Sequence, residues 1–235
     1  MKLAEEAIVL VGGFGTRLRA TVPDLPKPLA PVAGRPFLAY VLDNLADGGI
    51  RRVILATGYL GELVEEQIGH RWQSMEVLYS REPQPLGTGG AVRLALSRLQ
   101  GDTVHMCNGD TYLRYVPAAL QQAAIVHESP MALALAKVPD VGRYGAVVTR
   151  GGYVSAFSEK GGSGSGWINA GSYFLSAQAL SSLPDRDTFS FETDVLLPQA
   201  ETGNLAALKE TSGFIDIGVP EDYTRAQTEL AGIGR

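Results

Sequence analysis

The sequence predicts an α/β fold built on a mostly parallel sheet with helices on both faces. Short apolar runs typical of buried strands alternate with segments whose apolar residues recur at helical spacing. Glycine-rich and polar turns follow several of these strands, at the carboxyl ends where open α/β sheets bind ligands. The 235 residues, 45% of them hydrophobic, are enough for one sizeable domain.

Strands and helices alternate regularly in the first half of the chain. The apolar run over 7–11 predicts the first strand, and Pro36 can open a helix that Gly48-Gly49 stops. The elements that follow are predicted as a strand over 53–56, a helix over 62–68, a strand over 77–79, a helix over 90–99 and a strand over 104–107. Asn108-Gly-Asp110 therefore lies at the carboxyl end of a strand.

Strands dominate the second half and indicate a small inserted lobe. They are predicted over 131–138, 144–148, 154–158, 168–175 and 205–208, with a hairpin turn at Gly151-Gly152. A helix is predicted near 193–197, and a final helix runs from Pro220 through Leu230. The glycine- and serine-rich segment 161–166 is either a flexible loop or a lid over a substrate.

Composition and charge exclude several classes of protein. A net charge of −5 argues against a general nucleic-acid binder. No apolar run approaches the length of a membrane span, and the first strand is too short for a signal sequence, so a cytoplasmic protein is expected. The single cysteine, Cys107, is predicted to be a buried thiol and not a nucleophile. His70, His105 and His127 lack metal-ligand spacing and are predicted to be structural.

The segment after the first strand carries groups that suit a nucleoside triphosphate. Glycines let the backbone approach phosphate closely, and nearby cations neutralise charge as a phosphorus–oxygen bond breaks. The candidate residues are Gly12, Gly13, Gly15, Thr16, Arg17 and Lys27. A P-loop is excluded because no Gly-Lys-Ser/Thr triplet occurs, and a dinucleotide fingerprint would need a glycine at Leu18.

Motifs along nearly the whole chain resemble those of the sugar-1-phosphate nucleotidyltransferases. They are Gly12-Gly-Phe-Gly-Thr-Arg-Leu18 with Pro26-Lys-Pro28, Glu82-Pro-Gln-Pro-Leu-Gly-Thr-Gly-Gly90, Asn108-Gly-Asp110, Ser158-Glu-Lys160, Asn169-Ala-Gly171 and Phe214-Ile-Asp-Ile-Gly218. The resemblance implies a Rossmann-like, glycosyltransferase-A-like mixed sheet with a small inserted sugar-binding lobe. It also implies a single domain over 1–235, with a nucleotide-binding half of about 1–115 and a sugar-binding, closing half of about 116–235.

The same resemblance implies roles for individual residues. Arg17, Lys27 and Asp110 are the expected catalytic residues, and Asp110 and Asp216 are expected to hold Mg²⁺ as the cofactor. Nucleotide binding is implied for Gly12, Gly13, Gly15, Thr16, Arg17, Glu82, Gly87 and Thr88. Sugar-phosphate binding is implied for Gly145, Glu159, Lys160, Asn169 and Gly171.

Glu82 favours guanine over uracil and thymine. In the family the residue at this position faces the base. A carboxylate only accepts hydrogen bonds, which suits the adjacent N–H donors of guanine, whereas an amide suits the mixed edge of uracil or thymine. The sequence therefore favours GTP as the nucleotide.

Within the family, the chain is similar to the D-glycero-D-manno-heptose 1-phosphate guanylyltransferases, with the mannose-1-phosphate guanylyltransferases next. The expected reaction joins GTP to a sugar 1-phosphate, releases pyrophosphate and supplies a GDP-sugar for surface polysaccharide synthesis. The alternatives are mannose 1-phosphate as substrate, a uridylyltransferase for another sugar phosphate, and a noncatalytic sugar-nucleotide-binding regulatory protein. No nucleic-acid or membrane partner is expected, and a homo-oligomer is an open alternative.

Overall fold

The computed structural model describes residues 3–13, 18 and 22–233. The predicted site residues Gly15, Thr16 and Arg17 lie outside these described residues. Among the residues described, no helix is both long enough and apolar enough to span a membrane.

The described part contains fourteen strands and seven α-helices. The strands are β1 Glu6–Leu10, β2 Pro31–Val32, β3 Arg35–Pro36, β4 Arg52–Thr57, β5 Arg71–Trp72, β6 Met75–Arg81, β7 Val104–Asn108, β8 Thr111–Arg114, β9 Met131–Val138, β10 Val147–Arg150, β11 Tyr153–Phe157, β12 Gly166–Leu175, β13 Leu205–Leu208 and β14 Ser212–Asp216. The helices are α1 Phe37–Asp47, α2 Gly61–Ile68, α3 Gly87–Ala95, α4 Pro117–Val126, α5 Ala177–Ser181, α6 Leu197–Glu201 and α7 Pro220–Glu229.

Ten of these strands form one mixed sheet in the order β10-β11-β13-β9-β12-β7-β1-β4-β6-β5. The pairs β7–β1, β1–β4 and β4–β6 are parallel, whereas β12 runs antiparallel to both β7 and β9. The predicted class, a large α/β sheet flanked by helices, is confirmed. The strands assigned to the inserted lobe continue this same sheet through antiparallel pairs, except that β13 runs parallel to β9.

Side chains of β1 show why helices cover both faces of the sheet. Ala7 and Val9 belong to one apolar cluster, which also contains residues of α1, α2 and α7. Ile8, which points to the opposite face, packs in a second cluster with residues of α3, α5 and α6. Because both faces of the sheet are buried, polar groups for binding are confined to the strand ends.

The carboxyl ends of the parallel strands meet at one edge. Leu10, the last residue of β1, pairs with Ala56 of β4 and with Asn108 of β7. Gly12-Gly13 after β1, the turn after β4 and Asn108-Gly-Asp110 after β7 therefore leave the sheet side by side.

Several elements differ from the prediction. Helix α4 was not predicted, nor was the two-stranded sheet that β8 and β14 form outside the main sheet. The strand expected over 144–148 begins only at Val147, because Gly145 has a φ of +83° and its N–H closes a turn onto the carbonyl of Val141. The helix expected over 90–99 begins at Gly87. A Cβ on Gly89 would lie 2.1 Å from the Phe189 ring, so glycine permits this close packing.

Candidate active site

Three adjoining cavities follow the edge where β1, β4 and β7 end. We call them the proline-rich cavity, of about 480 Å³, the central cavity, of about 290 Å³, and the lobe cavity, of about 200 Å³. Gly12 and Thr88 line both of the first two cavities. Asn108 and Glu192 line both the central and the lobe cavity. The three therefore form a continuous groove with the central cavity in the middle.

Gly12 lies where the backbone after β1 packs closely against the turn after β4. A Cβ at this position would be 2.8 Å from Oε1 of Glu82 and 3.2 Å from the backbone nitrogen of Gly58. Gly13, by contrast, has open space where a side chain would be. The two predicted glycines thus lie at the junction of the proline-rich and central cavities, with their backbone accessible to a ligand.

Glu82 is the carboxylate of the proline-rich cavity. Its Oε2 accepts a hydrogen bond of 2.9 Å from the backbone N–H of Leu86, and its Oε1 points towards Gly12. Burial raises the pKa of Glu82, and the hydrogen bond from Leu86 opposes that shift. The predicted residue Gly87 follows at a φ of +75°, and the carbonyl of Phe189 lies 2.6 Å from where its Cβ would be.

The hydroxyl of Thr88 is used within the protein. It donates a hydrogen bond of 2.6 Å to Oε2 of Glu192 and accepts one of 2.9 Å from the N–H of Phe191. Thr88 lines the groove, and its hydroxyl connects helix α3 to the segment around Glu192.

Lys27 and two aspartates form a charged cluster beside the central cavity. Nζ of Lys27 lies 2.5 Å from Oδ2 of Asp110 and 3.4 Å from Oδ1 of Asp216. Asp110 follows β7, whereas Asp216 ends β14, which pairs with β8 directly after Asp110. The structure therefore brings together the two carboxylates that the sequence placed in separate motifs.

Arg143 extends this cluster towards helix α7. Its Nη2 lies 3.1 Å from Oδ2 of Asp216, and its Nη1 donates a short hydrogen bond to Asp222. The guanidinium also stacks over the Tyr144 ring, 4.5 Å from the centroid. Positive and negative groups thus alternate from Asp110 through Lys27, Asp216 and Arg143 to Asp222. Sequence reasoning missed both Arg143 and Asp222, because an isolated Arg–Asp pair leaves no local motif.

The lobe cavity contains most of the residues expected to bind a sugar phosphate. Lys160, Asn169 and Gly171 line it together with Tyr144 and Tyr173. Gly171 has a φ of +69°, and a Cβ there would lie 2.6 Å from Nδ2 of Asn108. Glycine is therefore needed at position 171, because it adopts this positive φ without strain and leaves room for the Asn108 side chain.

Hydrogen bonds fix the orientation of the Asn169 amide. Its Oδ1 accepts from the N–H of Gly171 at 2.9 Å and from the hydroxyl of Tyr173 at 3.0 Å. A backbone N–H can only donate, so the oxygen of the amide must face it. Burial raises the pKa of Tyr173, so its hydroxyl stays protonated and can donate. The Asn169 NH₂ group is thereby turned away from these partners.

Two predicted residues lie elsewhere. Glu159 is exposed, and it is not among the residues that line the lobe cavity. Gly145 supports the cavity wall: a Cβ there would lie 2.5 Å from the carbonyl of Ser158. Its positive φ turns the chain between Tyr144, which lines the cavity, and β10.

Cys107 and the histidines take no part in the groove. Cys107 is buried in β7, as predicted, and burial raises the pKa of its thiol to about 12. His105 is also buried in β7, where burial lowers its pKa to about 4. Within the described ranges, no cluster of three or more His, Cys, Asp or Glu side chains could hold a metal ion.

Comparison with known proteins gives consistent results. The chain is 40% identical over 225 residues to D-glycero-alpha-D-manno-heptose 1-phosphate guanylyltransferase of Aneurinibacillus thermoaerophilus, covering 96% of this chain and 98% of that protein. It is 37% identical to the protein of the same name from Campylobacter jejuni, covering 93% and 96% of the two chains. The crystal structure of HddC from Yersinia pseudotuberculosis complexed with GMP-PN superposes with a TM-score of 0.85 at 34% identity, over 96% of this chain and 99% of that one. Residues 6–232 match the Nucleotidyl transferase family, and the chain belongs to that family.

Proposed function

We propose that this protein transfers GMP from GTP to D-glycero-α-D-manno-heptose 1-phosphate, releasing pyrophosphate and forming a GDP-sugar. The observation that carries the proposal is the continuous groove, in which the Lys27–Asp110–Asp216 cluster lies between a cavity with Glu82 and a cavity with Asn169. In this proposal the cavity with Glu82 holds the base, the charged cluster lies beside the phosphates, and the cavity with Asn169 holds the sugar ring. The names of the relatives at 40% and 37% identity support this choice of substrates.

The proline-rich cavity suits a guanine base. Glu82 offers carboxylate oxygens, which accept hydrogen bonds from adjacent N–H donors, and the cavity walls are mainly apolar groups such as Pro83, Pro85 and Ala91. A uracil ring would present an acceptor to one of these oxygens and would be disfavoured.

Asp110 and Asp216 fit a magnesium ion. Their oxygens already converge on one cationic nitrogen, that of Lys27, at the central cavity. Mg²⁺ is commonly held by one or two carboxylates together with substrate phosphates, so a third protein carboxylate is not needed. When bound, the ion would neutralise negative charge on the oxygens of the attacked phosphate.

The chemistry assigned to these residues is a direct displacement. An oxygen of the sugar phosphate attacks the α-phosphorus of GTP, and the bond from that phosphorus to the bridging oxygen breaks. Pyrophosphate leaves with the bonding electrons. Lys27 supplies positive charge beside the reacting phosphates, and Arg17 is expected from the sequence to act on the departing pyrophosphate. The attacking oxygen is already ionised at neutral pH, so no general base is required.

Pyrophosphate release with defined pairs of substrates tests the proposal. The enzyme is incubated with Mg²⁺, each of GTP, UTP, dTTP and CTP, and each of heptose 1-phosphate, mannose 1-phosphate and glucose 1-phosphate. We expect the highest kcat/KM for GTP with the heptose 1-phosphate. A higher value for mannose 1-phosphate would correct the sugar, and one for UTP would correct the nucleotide. Binding of nucleotide without any pyrophosphate release would identify a noncatalytic protein instead.

A further inference from the structure

Glu192 lies where the central and lobe cavities join, and it lines both of them. It begins a π-helical turn, Glu192–Leu196, in which its carbonyl accepts the N–H of Leu197. Pro198 follows in α6 and has no N–H to give to the preceding turn. Wide turns of this kind occur frequently at functional sites. Here the turn places a carboxylate in the middle of the groove.

Only one of the two carboxylate oxygens of Glu192 is used by the protein. Its Oε2 accepts hydrogen bonds from the hydroxyls of Thr88, at 2.6 Å, and Ser190, at 3.1 Å. Across the described residues, Oε1 has no hydrogen-bond partner and Glu192 has no ion pair. By contrast, the other carboxylate lining the lobe cavity, Asp216, is paired with Lys27 and Arg143. Glu192 is therefore a half-buried carboxylate with a vacant acceptor oxygen.

The chemistry of that oxygen limits what it can bind. A carboxylate accepts hydrogen bonds and repels phosphate oxygens, so its partner in this groove must carry a donor. The donors of a sugar 1-phosphate are its hydroxyls. The hydroxyl on carbon 2 is next to the phosphate-bearing carbon, and so it lies where a cavity for the phosphate meets a cavity for the ring.

We infer that Glu192 accepts a hydrogen bond from the 2-hydroxyl of the sugar 1-phosphate and thereby contributes to the choice of sugar. The inference rests on the proposed function and adds a residue that the motifs did not indicate. Asn169 complements Glu192 as a hydrogen-bond donor, because its NH₂ group is oriented away from Gly171 and Tyr173. One acceptor and one donor group are then available to the hydroxyls of the ring.

Substrate analogues combined with Glu192→Gln test the inference. The wild type should lose roughly 10- to 100-fold in kcat/KM when the 2-hydroxyl is replaced by hydrogen, the range expected for a hydrogen bond to a charged acceptor. With the parent sugar phosphate, kcat/KM of Glu192→Gln should be lower than that of the wild type by a similar factor. Removing the 2-hydroxyl from the substrate should then lower kcat/KM of this variant only slightly further. The penalty for the 4-deoxy analogue should be the same in both proteins. Each measurement uses the sugar 1-phosphate that the wild type turns over fastest.

Two controls separate this role from a structural one. Glu201→Gln makes the same chemical change at an exposed position of α6 and should leave both deoxy penalties unchanged. Calorimetric binding of GTP should be the same in wild type and Glu192→Gln. Weaker GTP binding with an unaltered 2-deoxy penalty would mean that Glu192 only supports Thr88, and the inference would be overturned. No turnover of any sugar phosphate by the wild type would overturn the proposed function and this inference together.

Discussion

Nζ of Lys27 lies 2.5 Å from Oδ2 of Asp110, although the two residues are 83 positions apart in the chain. The same nitrogen is 3.4 Å from Oδ1 of Asp216, so one cation bridges both carboxylates. This arrangement keeps two negative groups close together before any substrate arrives, because each shares the charge of the lysine. Substitutions in this cluster should affect kcat and the Kd for substrate to different extents, and the two constants can be measured separately.

Lys27→Met tests whether the cation acts during the reaction. Methionine keeps an unbranched apolar side chain, one atom shorter than that of lysine, and removes its charge. If the charge acts on the transition state, kcat should fall by about 10²- to 10³-fold, whereas the Kd for GTP should change much less. Steady-state kinetics and calorimetry measure the two quantities. Equal changes in kcat/KM and in binding, with kcat preserved, would assign Lys27 to ground-state binding alone.

Asp110→Asn and Asp216→Asn test the magnesium proposal. Each substitution keeps the size of the side chain and removes one anionic ligand, so we expect kcat to fall by at least about 100-fold. Excess chelator should abolish the activity of the wild type, and added Mg²⁺ should restore it. Circular dichroism checks that both variants are folded. Full wild-type activity in the presence of the chelator would contradict the assignment of the metal.

Glu82→Gln tests recognition of the base. The amide replaces one acceptor oxygen by a donor, which disfavours guanine and suits the mixed edge of uracil. A good bidentate base contact is worth roughly 1–3 kcal/mol, so the ratio of kcat/KM for GTP to that for UTP should fall by about one to two powers of ten. A ratio that is the same in both proteins would show that Glu82 does not contact the base.

His105 should make stability dependent on pH. Burial lowers its folded-state pKa from 6.5 to about 4, and its two ring nitrogens have no hydrogen-bond partner. Below about pH 6.5 the unfolded chain therefore binds more protons than the folded protein. The contribution of His105 to the free energy of unfolding is full above that pH and should decrease by roughly 3 kcal/mol as the pH falls towards about 4.

Urea unfolding of His105→Phe measures this contribution. The phenylalanine ring cannot be protonated and can still pack beside Phe174. The decrease in stability between about pH 6.5 and about pH 5 should therefore be smaller in this variant than in the wild type. His70→Gln, at a side chain that is 73% exposed, should keep the wild-type pH dependence. Parallel pH profiles of His105→Phe and wild type would exclude His105 as the source.

Local patterns were sufficient for much of the fold. Apolar runs with strand or helix periodicity depend on neighbouring residues, so β1, β4, β7 and the core of α1 could be predicted. Helix α4 was missed, although Pro117 provides an N-terminal signal. Strands β8 and β14 were missed for a different reason. They are short and pair only with each other, so each depends on a partner far away in the chain.

The sequence by itself determined the order of the motifs, the glycine loop, the burial of Cys107 and the presence of two candidate metal carboxylates. Only the tertiary structure decided how these groups meet. The pairing of β8 with β14 brings Asp110 and Asp216 together, and ion pairs connect Arg143 and Asp222 to them. Glu192 lines the lobe cavity, whereas Glu159 does not. The physical reason is that periodicity and turn chemistry act over a few residues, whereas a binding site depends on distances set by sheet pairing and packing over the whole chain.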